Sequence, residues 1–101
     1  MKPVVLQKIH IENMESYKGT GDAVANQFVI TIETDKGTIR VFQSYTSVIT
    51  MRDENGKITL DENKWDYSTT TARYRNKFLC ENTVETRRKI QQGIYALADL
   101  N

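Results

Sequence analysis

The chain has 101 residues and a mass of 11.7 kDa, so we expect a single domain over residues 1–101 with one modest core. Fourteen Lys and Arg against thirteen Asp and Glu give a net charge of +1, which selects neither a nucleic-acid nor an acidic partner. Cys80 is the only cysteine, which excludes an intrachain disulfide and a thiolate zinc site. No apolar run approaches the roughly 18 residues that span a bilayer, and we expect a cytoplasmic protein.

The first part of the chain has the two-residue period of β-strands. Apolar and polar residues alternate from Val5 to Glu12, which predicts a half-buried N-terminal strand. The polar stretch from Asn13 to Asn26 is expected to form a surface loop. Phe28, Ile30 and Ile32 then alternate with other residues in the clearest strand pattern of the sequence, and we expect these three side chains to form the core of the sheet.

Two hairpins follow this strand. The turn Asp35-Lys36-Gly37 leads into a return strand at Thr38–Tyr45, which is rich in β-branched and aromatic residues. A second pair of strands, Ser47–Arg52 and Lys57–Asp61, is connected through Asn55-Gly56, a dipeptide typical of type I′ turns. With the N-terminal strand, these segments predict an antiparallel sheet of four to five strands.

Helical periodicity begins after Trp65. Asp66 and Ser68 both suit a helix N-cap, and an apolar stripe follows at the helical spacing. The stripe consists of Tyr67, Thr71, Tyr74 and Phe78.

Asn82 and Glu85 resemble a capping box and predict a second helix, about Thr83 to Gln92. Gly93 is placed where a left-handed residue would end this helix. The tail from Tyr95 to Leu100 is compatible with a short strand or a packed segment. Two helices that follow an antiparallel sheet, and cover one of its faces, define an α+β domain.

Several segments of the chain resemble a family of small uncharacterised proteins encoded by tailed bacteriophages and related mobile elements. The resemblance covers about residues 26–101 and is most specific between Trp65 and Phe78. It implies a phage-encoded origin and the bacterial cytoplasm as the place of action, and it implies no activity. The segments that carry it are Phe42-Gln43-Ser44-Tyr45, Ile58–Leu60, Trp65-Asp66-Tyr67-Ser68, Thr70-Thr71, Tyr74-Arg75, Phe78-Leu79, Glu85-Thr86, Lys89-Ile90, Gly93 and Asp99-Leu100-Asn101.

The sequence offers little for catalysis or metal binding. His10 is the only histidine and lies in the outward phase of a strand, without an evident partner that would make it a general base. Cys80 is followed by Glu81, whose carboxylate opposes formation of a thiolate. One histidine and one cysteine far apart cannot by themselves form a tetrahedral metal site. We therefore expect a protein that is not an enzyme and that holds no metal or cofactor.

A basic and aromatic segment is the best candidate for a partner-binding site. Residues 68–92 contain six basic and two acidic residues, a local charge of +4. Arginines anchor both protein and phosphate surfaces, and aromatic faces can stack on bases. Arg73 and Lys77 are four residues apart and share a helical face, whereas Arg75 points elsewhere. The residues assigned to this site are Arg73, Lys77, Arg75, Trp65 and Tyr67, with the alternative that the aromatic side chains are core and the arginines are simply solvated.

Two functions are consistent with these observations. The first is a small non-enzymatic phage accessory protein that binds and modulates a bacterial host protein, in host takeover or counter-defence. The second is a nucleic-acid-binding module that uses the basic-aromatic helical face. The near-zero net charge favours the first. The sequence leaves the oligomeric state open, a homodimer included.

Overall fold

Six strands form one sheet in the order in which they occur along the chain, and two helices lie between the fifth and the sixth strand in sequence. The computed structural model describes residues 3–101. Its elements are β1 (Leu6–Glu15), β2 (Ala23–Thr34), β3 (Gly37–Ser44), β4 (Ser47–Arg52), β5 (Ile58–Asp61), α1 (Thr69–Leu79), α2 (Thr83–Gln91) and β6 (Ala96–Ala98).

The expected α+β class is confirmed, but the sheet has six strands and is mixed rather than purely antiparallel. Strands β1 to β5 pair as an antiparallel meander. The tail that the sequence left undecided forms β6, which pairs in parallel with β5 through Leu60 and Leu97. A parallel neighbour needs a crossover connection, and the two helices provide it.

The expected loop over residues 13–26 is much shorter than predicted. Strand β1 continues to Glu15 and β2 begins at Ala23, so the connection is Ser16 to Asp22. Polar residues occupy the strand ends, and Asn13 uses its amide to donate a hydrogen bond to the Val24 carbonyl oxygen at 2.9 Å. These strand ends have the polar composition typical of a loop, although their backbones pair with each other.

The helix ends follow the capping signals. The Ser68 hydroxyl accepts from the Thr71 amide at 3.1 Å, so Ser68 rather than Asp66 caps α1. The Asn82 side chain accepts from the Glu85 amide at 2.9 Å, as expected for α2. Gly93 follows α2 with φ of +74°, which confirms its left-handed conformation.

The turn at Asn55-Gly56 lies where it was expected but is not of type I′. A type I′ turn needs positive φ at both central residues, and only Gly56 has it, at +83°. Asp53 explains the difference, because its carboxylate accepts from the amides of Asn55 and Lys57 at 2.9 Å each and holds a longer turn.

Alternation along the strands separates the sheet into two different faces. Residues directly opposite each other on neighbouring strands share a face. The face toward the helices, the helical face, includes the row Val29, Phe42, Thr50 and Leu60. Tyr74 of α1 packs on this row, and the Phe78 ring stacks on Phe42 with centroids 6.0 Å apart. The core of the molecule therefore lies between β2, β3, β4 and α1.

The other face of β1 to β4 is turned away from α1, and we call it the open face. Phe28, Ile30 and Ile32 lie on it, so the prediction that they form the sheet core is wrong: Val29, between them, is the residue under α1. The apolar side chains of the open face are Ile9, Ile11, Phe28, Ile30, Ile32, Ile39, Val41, Val48 and Met51.

A buried carboxylate attaches the C-terminal tail to the sheet. Asp61 is 1% exposed, and its Oδ1 accepts from the Leu100 amide at 2.9 Å and from the Asn101 side chain at 3.1 Å. Asn101 in turn pairs with the backbone of Val48, beside β4. Burial works against ionisation of Asp61, but the hydrogen bonds from Leu100, Asn101, Asn63 and Lys64 outweigh it and lower the pKa.

The two faces predict different costs for removing a large side chain. Phe42→Ala, at a fully buried position, is expected to lower the free energy of unfolding by about 3–5 kcal/mol. Ile30→Ala, on the open face, should cost clearly less in the isolated monomer, because Ile30 is only half-buried there. Urea denaturation at low protein concentration measures both, and equal costs would contradict the assignment of the core to the helical face.

Asp61 predicts a loss of stability in acid. Since its folded pKa lies below the ordinary 3.8, its contribution is complete above about pH 4 and is lost as the pH falls through the folded value. Asp61→Asn is expected to remove roughly 1–3 kcal/mol at neutral pH and to flatten this acid dependence. Thermal melting at about pH 7 and about pH 3 tests it. Identical acid sensitivity of the variant and the wild type would show that other carboxyl groups dominate.

Candidate functional site

Arg75 is the most deeply buried of the residues that the sequence assigned to a partner site. It is 0% exposed, so the alternative that the arginines are simply solvated is wrong for Arg75. Its guanidinium donates to the Trp65 carbonyl oxygen, to Asp66 Oδ1 at 3.2 Å and to Thr83 Oγ1 at 2.7 Å. The fork geometry of arginine suits this set of acceptors, which come from the segment before α1 and from the start of α2. Arg75 therefore joins the two helices to that segment.

Trp65 lies beside two guanidinium groups. The guanidinium carbons of Arg75 and Arg87 are 5.2 and 5.8 Å from the centre of its ring, and Asp66 pairs with both arginines at 3.2 Å. Burial lowers the pKa of Arg75, and the hydrogen bond and charge of Asp66 oppose that effect. The tryptophan is half-buried and takes part in the internal packing of this cluster.

Arg73 and Lys77 share an exposed face of α1, as their spacing predicted, and both reach the connection between β1 and β2. The Arg73 guanidinium lies 4.6 Å from the centre of the Tyr17 ring and donates to the Tyr17 hydroxyl at 3.3 Å. Lys77 Nζ donates to the backbone oxygens of Glu15 at 2.9 Å and Ser16 at 3.4 Å. These contacts hold the loop of residues 16–22 against α1.

The five assigned residues do not form one surface. Arg73 and Lys77 lie at the loop, whereas Trp65 and Arg75 belong to the buried cluster around Asp66. Tyr67 is 50% exposed at the start of α1, although it was expected to belong to the apolar stripe. Of the other stripe residues, Thr71 and Tyr74 are buried and Phe78 is partly buried against the core.

Ion pairs neutralise most of the local positive charge on the helices. Asp66 pairs with Arg75 and Arg87, at 3.2 Å each. Glu85 pairs with Arg88 at 2.8 Å, and Glu81 pairs with Lys89 at 2.7 Å. Within residues 3–101, Arg73 and Lys77 are the two basic residues of the segment 68–92 without such a pair. The charge excess counted along the sequence is therefore not a continuous basic surface.

A shallow cleft of about 380 Å³ lies on the helical face beside the end of α1. Met14, Val29 and Phe78 form apolar parts of its wall, and the Arg40 guanidinium lies 5.4 Å from the centre of the Phe78 ring. His10 lies on the same strand as the wall residue Glu12 and is 3.5 Å from its carboxylate, exposed to solvent. Arg40 and His10 are thus each in contact with a neighbouring side chain.

The open face is the surface that sequence reasoning missed. Three adjoining rows of side chains cross it. The middle row is Ile11–Ile30–Val41–Met51, and it is flanked by Ile9–Ile32–Ile39 and by Asn13–Phe28–Gln43–Val48. None of the residues in these rows is charged. Ile9 and Ile11, on the edge strand β1, are 53% and 60% exposed.

Six charged or ionisable side chains of the same strands lie on the helical face instead. They occur where α1 does not cover that face: Lys8, His10, Glu12, Glu33, Arg40 and Arg52. A strand that is exposed to water on both sides has no need to place its apolar and its charged side chains on opposite faces. The signal was present in the sequence as the strict alternation of β1 and β2, but it was assigned to the wrong side of the sheet.

The part of the chain that the structure describes contains no cluster of three or more His, Cys, Asp or Glu side chains arranged to hold a metal ion. None of its helices has the length and apolar composition required to cross a membrane.

The fold and its surfaces define a small α+β protein in which a meander sheet carries helices on one side only. The chain belongs to a family of unknown function, DUF8033, whose sequence model matches residues 9–93. The match includes the open face of β1 to β4 as well as both helices. No curated protein and no solved structure shows a significant match.

Arg75 and Arg73 are expected to respond very differently to substitution. Arg75→Met removes a fully buried charge that donates to part-buried acceptors on Trp65, Asp66 and Thr83, and should cost about 3 kcal/mol of stability. Arg73→Ala, at an exposed cation–π contact, should cost less than about 1 kcal/mol. Thermal and urea denaturation of the two variants measure the difference. A stable Arg75→Met protein would return Arg75 to the candidates for a binding role.

Proposed function

We propose that the protein is a non-enzymatic binding protein that acts by association with another protein through the open face. The observation that carries this proposal is the contiguous, charge-free apolar surface formed by β1 to β4. Apolar surfaces of this kind on a folded chain mark association sites, because water contact with them is unfavourable. Isolated exposed apolar residues would need no such explanation, but the exposed Ile9 and Ile11 are continued across the sheet by half-buried apolar neighbours and by Val41, which is 8% exposed.

The biological setting that the sequence resemblance implies belongs to the same proposal. In that setting the protein is a phage-encoded accessory protein that works in the bacterial cytoplasm and binds a bacterial host protein there. Membership of a family of unknown function is compatible with this role. The open face lies within the family match, so the same surface is available for comparison across the family.

Nucleic-acid binding receives less support from the geometry than from the sequence. Four of the six basic residues of the segment 68–92 are paired with carboxylates, and Arg75 is buried. Affinity for a phosphate backbone needs several unpaired cations along one track. Arg73 and Lys77 with the aromatic ring of Tyr17 form a smaller group that is already engaged with the loop.

The proposal predicts that a charge on the open face abolishes association. Fluorescently labelled chain at micromolar concentration, in a nuclease-treated bacterial lysate, should elute from a sizing column well above its own 11.7 kDa. Ile11→Glu should return it to the monomer position, because a carboxylate cannot be buried there without a partner. The side chain is 60% exposed in the monomer, so the variant is expected to fold.

His10→Glu is the matched control for this experiment. It adds the same carboxylate to the adjacent position of β1, on the helical face, where its neighbours are Thr31 across the strand and the exposed Glu12 and Lys8 on the same strand. This variant should elute with the wild type. A wild-type chain that elutes as a monomer in the lysate, or two variants that behave alike, would refute the proposed role of the open face.

A further inference from the structure

We infer that the free edge of β1 pairs with the β1 edge of a second copy of this chain, in one antiparallel register centred on His10. This inference goes beyond the proposed function, because it concerns the edge of the sheet and not the open face. Two observations support it. Backbone groups of β1 point to the free edge, and the charged and apolar side chains around His10 complement themselves.

The backbone of β1 offers hydrogen-bonding groups on its free side. Strand β1 is the outermost strand of the sheet, next to β2. Asn26 accepts from the Tyr45 amide at 2.7 Å, so in the alternating ladder the even-numbered residues of β2 bond to β3 and the odd-numbered ones bond to β1. His10 lies opposite an odd-numbered residue and bonds to β2. Ile9 and Ile11, on either side of it, therefore direct their N–H and C=O groups to the free edge.

The side chains of this segment complement themselves when two copies pair about His10. Residues at equal distances before and after His10 then lie directly opposite each other, and opposite residues share a face. Lys8 of each copy faces Glu12 of the other on the helical face, which gives two pairs of opposite charge. Ile9 of each copy faces Ile11 of the other on the open face. Pairs of both kinds stabilise a sheet, whereas like charges directly opposite each other destabilise it.

The two adjacent registers lack this complementarity. A two-fold axis at Ile9 would place Lys8 opposite His10, and an axis at Ile11 would place Lys8 opposite Met14. Neither register gives Lys8 a carboxylate partner. Charged side chains on an edge strand oppose its pairing with most other strands. In the register centred on His10 the same charges attract, so they restrict the edge to a copy of itself.

The symmetry of this contact places equivalent surfaces together. A two-fold axis through His10 of an antiparallel pair stands perpendicular to the sheet, so α1 of both copies lies on one side and both open faces lie on the other. The apolar row that ends at Ile9 in one copy then continues into the row that ends at Ile11 in the other. Ile9 and Ile11, which are 53% and 60% exposed in the monomer, each gain a neighbour on their free side.

The contact is small and therefore weak. Irregularities in the ladder of β1 with β2, between residues 6 and 8 and between residues 13 and 15, leave one short regular segment for pairing. An edge contact of this length buries less than the roughly 1,200 Å² of a specific, stable interface, and we expect a dissociation constant of about 100 µM. The lysate experiment uses micromolar chain, at which this contact is open, so the two proposals are tested independently.

Disulfide trapping tests the register on the purified chain. In a Cys80→Ser background, which removes the exposed native thiol, His10→Cys places two thiols opposite each other on the two-fold axis. Opposite residues of an antiparallel pair have Cα atoms about 4.5–5.5 Å apart, which a disulfide spans. Mild oxidation should give a covalent dimer of twice 11.7 kDa. Gln7→Cys in the same background is the matched control and should stay monomeric, because its two thiols would lie roughly 20 Å apart.

Charge exchange tests the pairs on the helical face. Sedimentation equilibrium of the wild type at up to about 1 mM should show a dimer. Lys8→Glu and Glu12→Lys each place like charges opposite each other twice, and each should raise the dissociation constant by about 10-fold or more. The double variant Lys8→Glu with Glu12→Lys restores both pairs with reversed polarity and should dimerise like the wild type. Both side chains are exposed in the monomer, and circular dichroism checks that the variants fold.

Each result that departs from these expectations overturns a defined part of the inference. A double variant that dimerises no better than the single variants refutes the charge pairing. Equal cross-linking of His10→Cys and Gln7→Cys refutes the register. A wild type that stays monomeric at about 1 mM, or that grows beyond the dimer, refutes the two-fold pairing of β1 edges. If the charge variants unfold, the comparison of the two cysteine variants still decides. None of these results changes the outcome of the lysate experiment on the open face.

Discussion

The architecture depends on the mismatch between a wide sheet and two short helices. Six strands at about 4.8 Å spacing make a sheet nearly 30 Å wide. Helix α1 has 11 residues and α2 has nine, so they are about 16 and 14 Å long. Helix α1 covers part of one face around Phe42. The strand period then requires that every second residue of β1 to β4 faces either water or another molecule.

The helices are joined to the rest of the chain largely by polar contacts. Below α1 the Ser44 and Thr71 hydroxyls are 3.1 Å apart, and Arg75 connects the segment before α1 with Thr83 of α2. Glu81 binds Lys89 and Tyr95 at 2.7 and 2.6 Å. The apolar contact between the layers is confined to a few residues around Phe42 and Tyr74. A chain with 39% hydrophobic residues has thus placed much of its aliphatic content elsewhere, on the open face.

The sequence predicted the elements better than it predicted their environment. Alternation in β2 and helical spacing in α1 located these elements, because both periods follow from backbone geometry. Which face of β2 the helices cover is decided by α1, which packs on Val29 and Phe42. Three isoleucine or phenylalanine residues against one valine suggested the opposite side. Such a count identifies the core only if the helices cover the more apolar face of the strand, and that condition fails here.

The candidate site illustrates the same limit for charged residues. Charge counted along residues 68–92 gave +4, but most of these basic residues pair with Asp66, Glu81 or Glu85 in the structure. Helical spacing reveals only the pair of Glu85 with Arg88. Arg75 follows Tyr74 directly and turns inward, where Asp66 and Thr83 accept hydrogen bonds from its guanidinium.

The placement of charge on β1 also bears on how the free edge of the sheet avoids open-ended growth. An edge strand with exposed backbone groups can add further strands without limit, and charged side chains restrict this growth. On β1 the charges of Lys8, Glu12 and Glu15 flank the apolar Ile9 and Ile11. Apolar side chains thus point to the open face while charges border the free edge. This arrangement favours contact through the open face over the continuous addition of edges.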